Sequence, residues 1–72
     1  QLVNLLVDEK RPLEEIEGLE ALKQKIENAN MRHLFRYSGT ENKIRLLLEG
    51  KDEAKLEEMM QECVAFFKGV LA

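Results

Sequence analysis

The sequence predicts an α+β domain in the order β-α-β-β-α, with two helices covering one face of a small, mainly antiparallel sheet. Three observations carry this. Three short apolar runs have the length and alternation of strands. The last third of the chain repeats apolar residues at spacings of three and four, which is a helical period. Between the second and third strand-like runs lies Ser38-Gly39-Thr40-Glu41-Asn42, a cluster of turn-forming residues.

Leu2, Val3, Leu5, Leu6 and Val7 form the first strand, interrupted by Asn4 and followed by the charged cluster Asp8-Glu9-Lys10-Arg11. Pro12 is expected to stop it, because proline cannot donate to a ladder. Leu13 to Glu17 reads either as an extra helical turn or as a loop, and Gly18 argues for a break there. From about Gly18 to Asn28, Leu19, Leu22 and Ile26 recur at helical intervals, and Asn28 and Asn30 tolerate the left-handed turn that ends a helix. Met31 to Tyr37 reads as a second strand, with Met31, His33, Phe35 and Tyr37 on one face and Arg32, Leu34 and Arg36 on the other. Ile44 to Glu49 is the third strand. Its almost continuous apolar character predicts a central, well-covered position. Asp52 is the expected N-cap of the final helix, whose apolar stripe is Leu56, Met59, Met60, Cys63, Val64, Phe67, Val70 and Leu71.

A chain of 72 residues makes one domain, residues 1–72, and at this size buries only roughly 60% of its unfolded surface. It opens at Gln1 directly into strand-like residues, which reads as a piece cut from a longer protein, a processed terminus being the other reading. No apolar run approaches the ~20 residues that span a bilayer, which points away from a membrane. The single cysteine, Cys63, rules out an internal disulfide and favours a reducing compartment, the cytoplasm. One cysteine and one histidine leave no soft-metal site. The net charge of -3 argues against nucleic acid as a partner. The charge is uneven. Arg32, Arg36, Lys43 and Arg45 against the lone Glu41 give residues 32–45 a surplus of +3, leaving -6 on the remainder. One basic spot on an acidic body suits a small anion better than a polyanion.

That spot coincides with the turn. A phosphate needs converging donors and local positive charge. Ser38 and Thr40 carry hydroxyls, and Gly39 lets backbone N–H groups approach without a Cβ in the way. Successive N–H groups in such a turn form an anion-binding concavity. Arg36 enters the turn and Arg45 leaves it, and each guanidinium can fork onto phosphate oxygens. Asn42 and Lys43 can reach the rim. Residue types alone leave two readings open, an ordinary hairpin turn and an anion site.

The run Arg36-Tyr37-Ser38-Gly39-Thr40-Glu41 with Arg45 four residues on, flanked by strands and followed by Glu49-Gly50 and a long helix, resembles the last domain of the α-D-phosphohexomutases. Pro12-Leu13-Glu14-Glu15 is similar to that domain too, and the resemblance covers essentially the whole chain. The Ser-Gly-Thr-Glu wording is most like the branch acting on glucosamine phosphates, with the phosphomannose and phosphoglucose branches as alternatives. Asn42 departs from the proline common in the family. The resemblance implies a TBP-like fold for this fourth domain. It implies a four-domain parent that moves a phosphoryl group between the sugar's 6- and 1-positions through a phosphoserine and a bisphosphorylated sugar. Neither the phosphoserine segment nor the acidic loop that holds Mg2+ lies in this chain, so the domain has no cofactor of its own and is expected to be inactive alone. Its partners are then a phosphosugar substrate and the other domains. The implied substrate-phosphate site is Arg36 and Arg45 as charge partners, Ser38 and Thr40 as hydroxyl donors, and Gly39 as backbone donor. Glu41, acidic beside a phosphate, is expected to orient an arginine or the turn.

The remaining residues have blander readings. His33, the sole histidine, is expected to be structural or on the surface. Cys63 falls on an apolar stripe and reads as an inert buried thiol. Glu14, Glu15, Glu17 and Glu20 read as a solvated face. Against the mutase-domain reading stands a different class, a freestanding β-α-β-β-α interaction module.

Overall fold

The third strand-like run, expected at the centre, does lie at the centre of the sheet. The computed structural model describes residues 1–71. In it β1 (Leu2–Leu6), α1 (Leu19–Asn28), β2 (Arg32–Tyr37), β3 (Lys43–Glu49) and α2 (Glu53–Leu71) follow in that order, with a single 3-10 turn over Leu13–Glu15. The sheet order is β1-β3-β2 and both pairings are antiparallel. The fold is therefore the α+β arrangement expected, and among the described residues no helix is long and apolar enough to cross a membrane.

β3 alternates strictly. Ile44, Leu46 and Leu48 are fully buried, while Arg45 and Glu49 are exposed. The expectation of a well-covered central strand is corrected here: β3 is central, but only one of its faces is covered. Both helices lie on that face, α1 against β2 and α2 against β3. Leu19, Leu22 and Ile26 of α1 and Leu56, Met59, Met60, Cys63, Phe67 and Leu71 of α2 meet Phe35, Ile44, Leu46 and Leu48 of the sheet in one core. Phe67 stands edge-on to both Phe35 and Phe66, each at 5.2 Å between ring centres, a favoured aromatic geometry.

The ends of the helices follow local chemistry. Asp52 accepts from the Lys55 N–H at 3.2 Å and caps α2. α1 ends in a Schellman motif. Met31 N–H donates to the Ile26 carbonyl and Asn30 N–H to that of Glu27, with Asn30 in the left-handed region at φ 61°. Gly18, at φ 88°, turns the chain into α1. Pro12 does not stop β1, which already ends at Leu6; its carbonyl opens the 3-10 turn by accepting from Glu15 N–H at 3.0 Å. The physical reason is that the charged residues 8–11 leave the sheet first.

Candidate functional site

The uncovered face of the sheet carries Leu2, Asn4 and Leu6 from β1, Arg45 and Leu47 from β3, and Leu34 and Arg36 from β2. Register decides what faces what. Arg36 sits directly opposite Arg45, and Arg45 directly opposite Asn4. Side chains facing one another across antiparallel strands have Cβ atoms ~4.5–5.5 Å apart, and like charges so placed repel. Among the described residues neither arginine has a carboxylate partner within ion-pair distance. Arg45 Nε reaches only the amide oxygen of Asn4, at 3.5 Å.

The β2–β3 hairpin closes with Ser38 N–H donating to the Lys43 carbonyl at 2.9 Å. Ser38 Oγ then accepts from the backbone N–H groups of Thr40 (3.4 Å) and Glu41 (3.2 Å), so the serine shapes the turn from inside. Its hydroxyl proton remains available to donate outward. Lys43 pairs with Glu41 at 3.0 Å. Glu41 thus braces the turn, as one of its expected roles had it, but it orients a lysine rather than an arginine. Arg36, Tyr37, Ser38, Gly39, Glu41, Lys43 and Arg45 line an open cavity of about 540 Å³, with Asn4 and the leucines 2, 34 and 47 on its other side.

The structure brings four of the five expected residues, Arg36, Ser38, Gly39 and Arg45, to this cavity. Thr40 is exposed at the tip of the turn and does not line it. Gly39 has neither a positive φ nor any atom within 4 Å of where a Cβ would stand. Sequence reasoning missed Asn4, whose one signal was its interruption of an apolar strand. It also missed the segment behind the turn. Lys10 Nζ donates to the Ser38 carbonyl at 2.6 Å, Val7 N–H to that of Asn42 at 2.9 Å, and Tyr37 Oη–H to that of Arg11 at 2.6 Å. Burial raises the Tyr37 pKa above its ordinary value and the Glu9 carboxylate adds to this, with Arg11 opposing.

The other candidates lie away from this cavity. His33 stacks on Phe35 at 5.5 Å and its Nε2 meets Glu27 Oε2 at 2.9 Å, tying β2 to α1. Cys63 is fully buried, and burial pushes its thiol up to about 11, which leaves almost no thiolate near neutrality. Glu14, Glu15, Glu17 and Glu20 are exposed.

Comparison with known proteins places these features in a family. The chain is 69% identical over 70 residues to a phosphoglucosamine mutase of Sulfurovum sp. (strain NBC37-1), covering 97% of this chain and 16% of the relative. It is 58% identical over 71 residues to that of Wolinella succinogenes, covering 99% of this chain and 16% of the relative. It is 56% identical over 70 residues to that of Helicobacter pylori (strain G27), covering 97% of this chain and again 16% of the relative. The chain thus spans about one sixth of the length of these relatives. No solved structure gives a significant match. The family model for the phosphoglucomutase/phosphomannomutase C-terminal domain matches residues 2–66, from the start of β1 deep into α2. With the whole sheet, the arginine pair and the turn between them inside that match, the chain belongs to the phosphoglucomutase/phosphomannomutase C-terminal domain family.

Proposed function

We propose that this domain anchors the phosphate of a phosphosugar inside a larger mutase. The parent would interconvert glucosamine-6-phosphate and glucosamine-1-phosphate for cell-wall amino-sugar synthesis. The observation that carries the anchoring role is the cross-strand pair of Arg36 and Arg45 on an open sheet face, beside the Ser38-Gly39 turn. Two like charges held opposite each other with no carboxylate between them favour a bound anion, because an anion turns a repulsive pair into a bidentate one. Ser38 contributes its outward proton and Gly39 its backbone N–H. Arg36 and Arg45 supply the charge, and Asn4 holds Arg45 in place. Thr40 would join only if the tip of the turn folded inward over the ligand. The identities with phosphoglucosamine mutases support the choice of amino sugar.

On this reading the domain performs no bond-making. It holds the phosphate that is not reacting, and so supplies position and orientation to groups elsewhere in the parent. Reading phosphate rather than sugar suits a substrate that must be accepted in two orientations. Mg2+ in the parent would neutralise charge on the phosphoryl group being moved. Its ligands would come from the other domains of the parent. The cytoplasm is the compartment where such a substrate would be met.

The test is an amide NMR titration of the domain with glucosamine-6-phosphate, with inorganic phosphate and unphosphorylated glucosamine as controls. The expected result is movement of the Ser38, Gly39 and Thr40 amides with both phosphate compounds but not with glucosamine, lost in Arg36→Ala. A Kd of about 1 mM, or about -4 kcal/mol, is the scale for one open loop. Equal shifts with plain glucosamine would rule out a phosphate anchor. In the full-length protein, preference for mannose-6-phosphate over glucosamine-6-phosphate would overturn the choice of sugar.

A further inference from the structure

We propose that Lys10 is a positioning residue of the anion site, acting through the peptide bond between Ser38 and Gly39. The inference rests on the phosphate-anchoring reading of the same turn. Lys10 does not line the cavity; its ammonium group lies behind the turn, 2.6 Å from the Ser38 carbonyl oxygen. That carbonyl and the Gly39 N–H belong to one planar trans peptide, so they point in opposite directions. Drawing the oxygen back onto Lys10 therefore turns the Gly39 N–H forward. Among the described residues this N–H takes no backbone or side-chain acceptor, and Gly39 lines the cavity. A cation on the carbonyl also polarises the peptide and makes its N–H a stronger donor.

Two further contacts hold Lys10 where this requires. On one side of it Val7 N–H donates to the Asn42 carbonyl at 2.9 Å, and on the other Tyr37 Oη–H donates to the Arg11 carbonyl at 2.6 Å. The segment from Val7 to Arg11 is thus attached to the hairpin at three points; the Val7 contact engages the Asn42–Lys43 peptide, whose N–H already donates to the Glu41 carbonyl, whereas the Lys10 contact engages the peptide of the unspent Gly39 N–H. Arg36 and Arg45 supply charge from the sheet, whereas Lys10 sets the direction of a neutral donor from behind.

The experiment uses the full-length protein carrying this chain and measures steady-state turnover of glucosamine-6-phosphate, with inorganic phosphate as a competing anion. The variants are Lys10→Met, Lys10→Arg and Arg36→Ala, with Lys51→Met, a lysine beyond the opposite end of β3, as control. For Lys10→Met the expectation is a KM raised about threefold to tenfold, the range that the net worth of one ordinary hydrogen bond spans. The inhibition constant of phosphate should rise in parallel, with kcat within about twofold and an unchanged melting temperature. Lys10→Arg, which keeps a donor on the carbonyl, should recover most of the KM. If Arg36→Ala raises KM and Lys10→Met does not, the positioning role is overturned and the anchoring reading survives. If Arg36→Ala leaves KM and phosphate inhibition unaltered, the anchoring reading falls and this inference with it. A melting temperature that drops along with the affinity of Lys10→Met, or no recovery in Lys10→Arg, makes Lys10 a fold-stabilising residue and overturns the proposal.

Discussion

At Gly39 a Cβ would meet nothing within 4 Å, and the residue lies outside the left-handed region where glycine is required. The fold therefore places no demand on glycine there, whereas a phosphate approaching the Gly39 N–H as proposed would, because a methyl group would stand beside its path. Gly39→Ala is expected to change stability by no more than about 0.5 kcal/mol and to weaken the response to glucosamine-6-phosphate. Urea unfolding and the amide titration, run on the same variant, check both halves; a substantial loss of stability would show that the turn, not the ligand, needs the glycine. Cys63 offers the opposite case, a residue held entirely by the core. Its thiol is raised from 9.0 to about 11 by burial, with Glu62 adding to the effect. The folded state thus holds the proton more tightly than the unfolded one. The contribution is complete below the unfolded pKa and is lost as pH rises from about 9 toward 11. Tyr37, also raised, acts in the same direction at higher pH. Urea midpoints measured between pH 7 and 10.5 should fall more steeply with pH for the wild type than for Cys63→Ala. Equal slopes would mean that the thiol is not the group being titrated.

At the level of elements, helix ends show where local chemistry fixes structure. Gly18 combines φ 88° with a hypothetical Cβ only 3.3 Å from the ring edge of Phe66. Gly18→Ala should cost about 1–2 kcal/mol from the left-handed backbone alone, with a further increment if Phe66 cannot yield. Asp52→Ala removes the side-chain acceptor for Lys55 N–H and should cost about 1 kcal/mol. Both are read as shifts in urea midpoint at constant slope, and a Gly18→Ala variant as stable as wild type would show that the chain enters α1 by another route. Such features were legible in the sequence because they are local: Asp52 precedes a helical stripe, Asn30 follows one, and the strands alternate. The end of β1 was not, since Pro12 is a strong breaker but the charged residues before it had already left the sheet. The arginine pair was legible as composition, from a run of ten residues, but its cross-strand register was not. Asn4 and Lys10 were harder still. They reach Arg45 and Ser38 across 41 and 28 positions of sequence, and no periodicity links residues so far apart.

For the molecule as a whole, β3 is where stability and the proposed binding meet and separate. One strand sends Ile44, Leu46 and Leu48 into a core from which they are fully hidden, and Arg45, one residue away, to the open face. The period of two therefore assigns consecutive residues to different tasks. Leu46→Ala should cost about 2–5 kcal/mol through lost burial and the cavity left behind. That is a large share of the roughly 4–11 kcal/mol a chain of this size commands. Arg45→Ala should stay within about 0.5 kcal/mol of wild type, with relief of the repulsion from Arg36 acting in its favour. The order reverses when ligand is added. At ten times its Kd a ligand that binds only the folded state stabilises it by about 1.4 kcal/mol. Glucosamine-6-phosphate at that concentration should raise the urea midpoint of the wild type and leave that of Arg45→Ala where it was. Leu46→Ala, provided enough of it is folded to measure, should keep the ligand-induced increment despite its lower starting point. An Arg45→Ala variant that unfolds as readily as Leu46→Ala would show that the open face carries part of the fold, and an increment surviving in Arg45→Ala would move the anion away from the cross-strand pair.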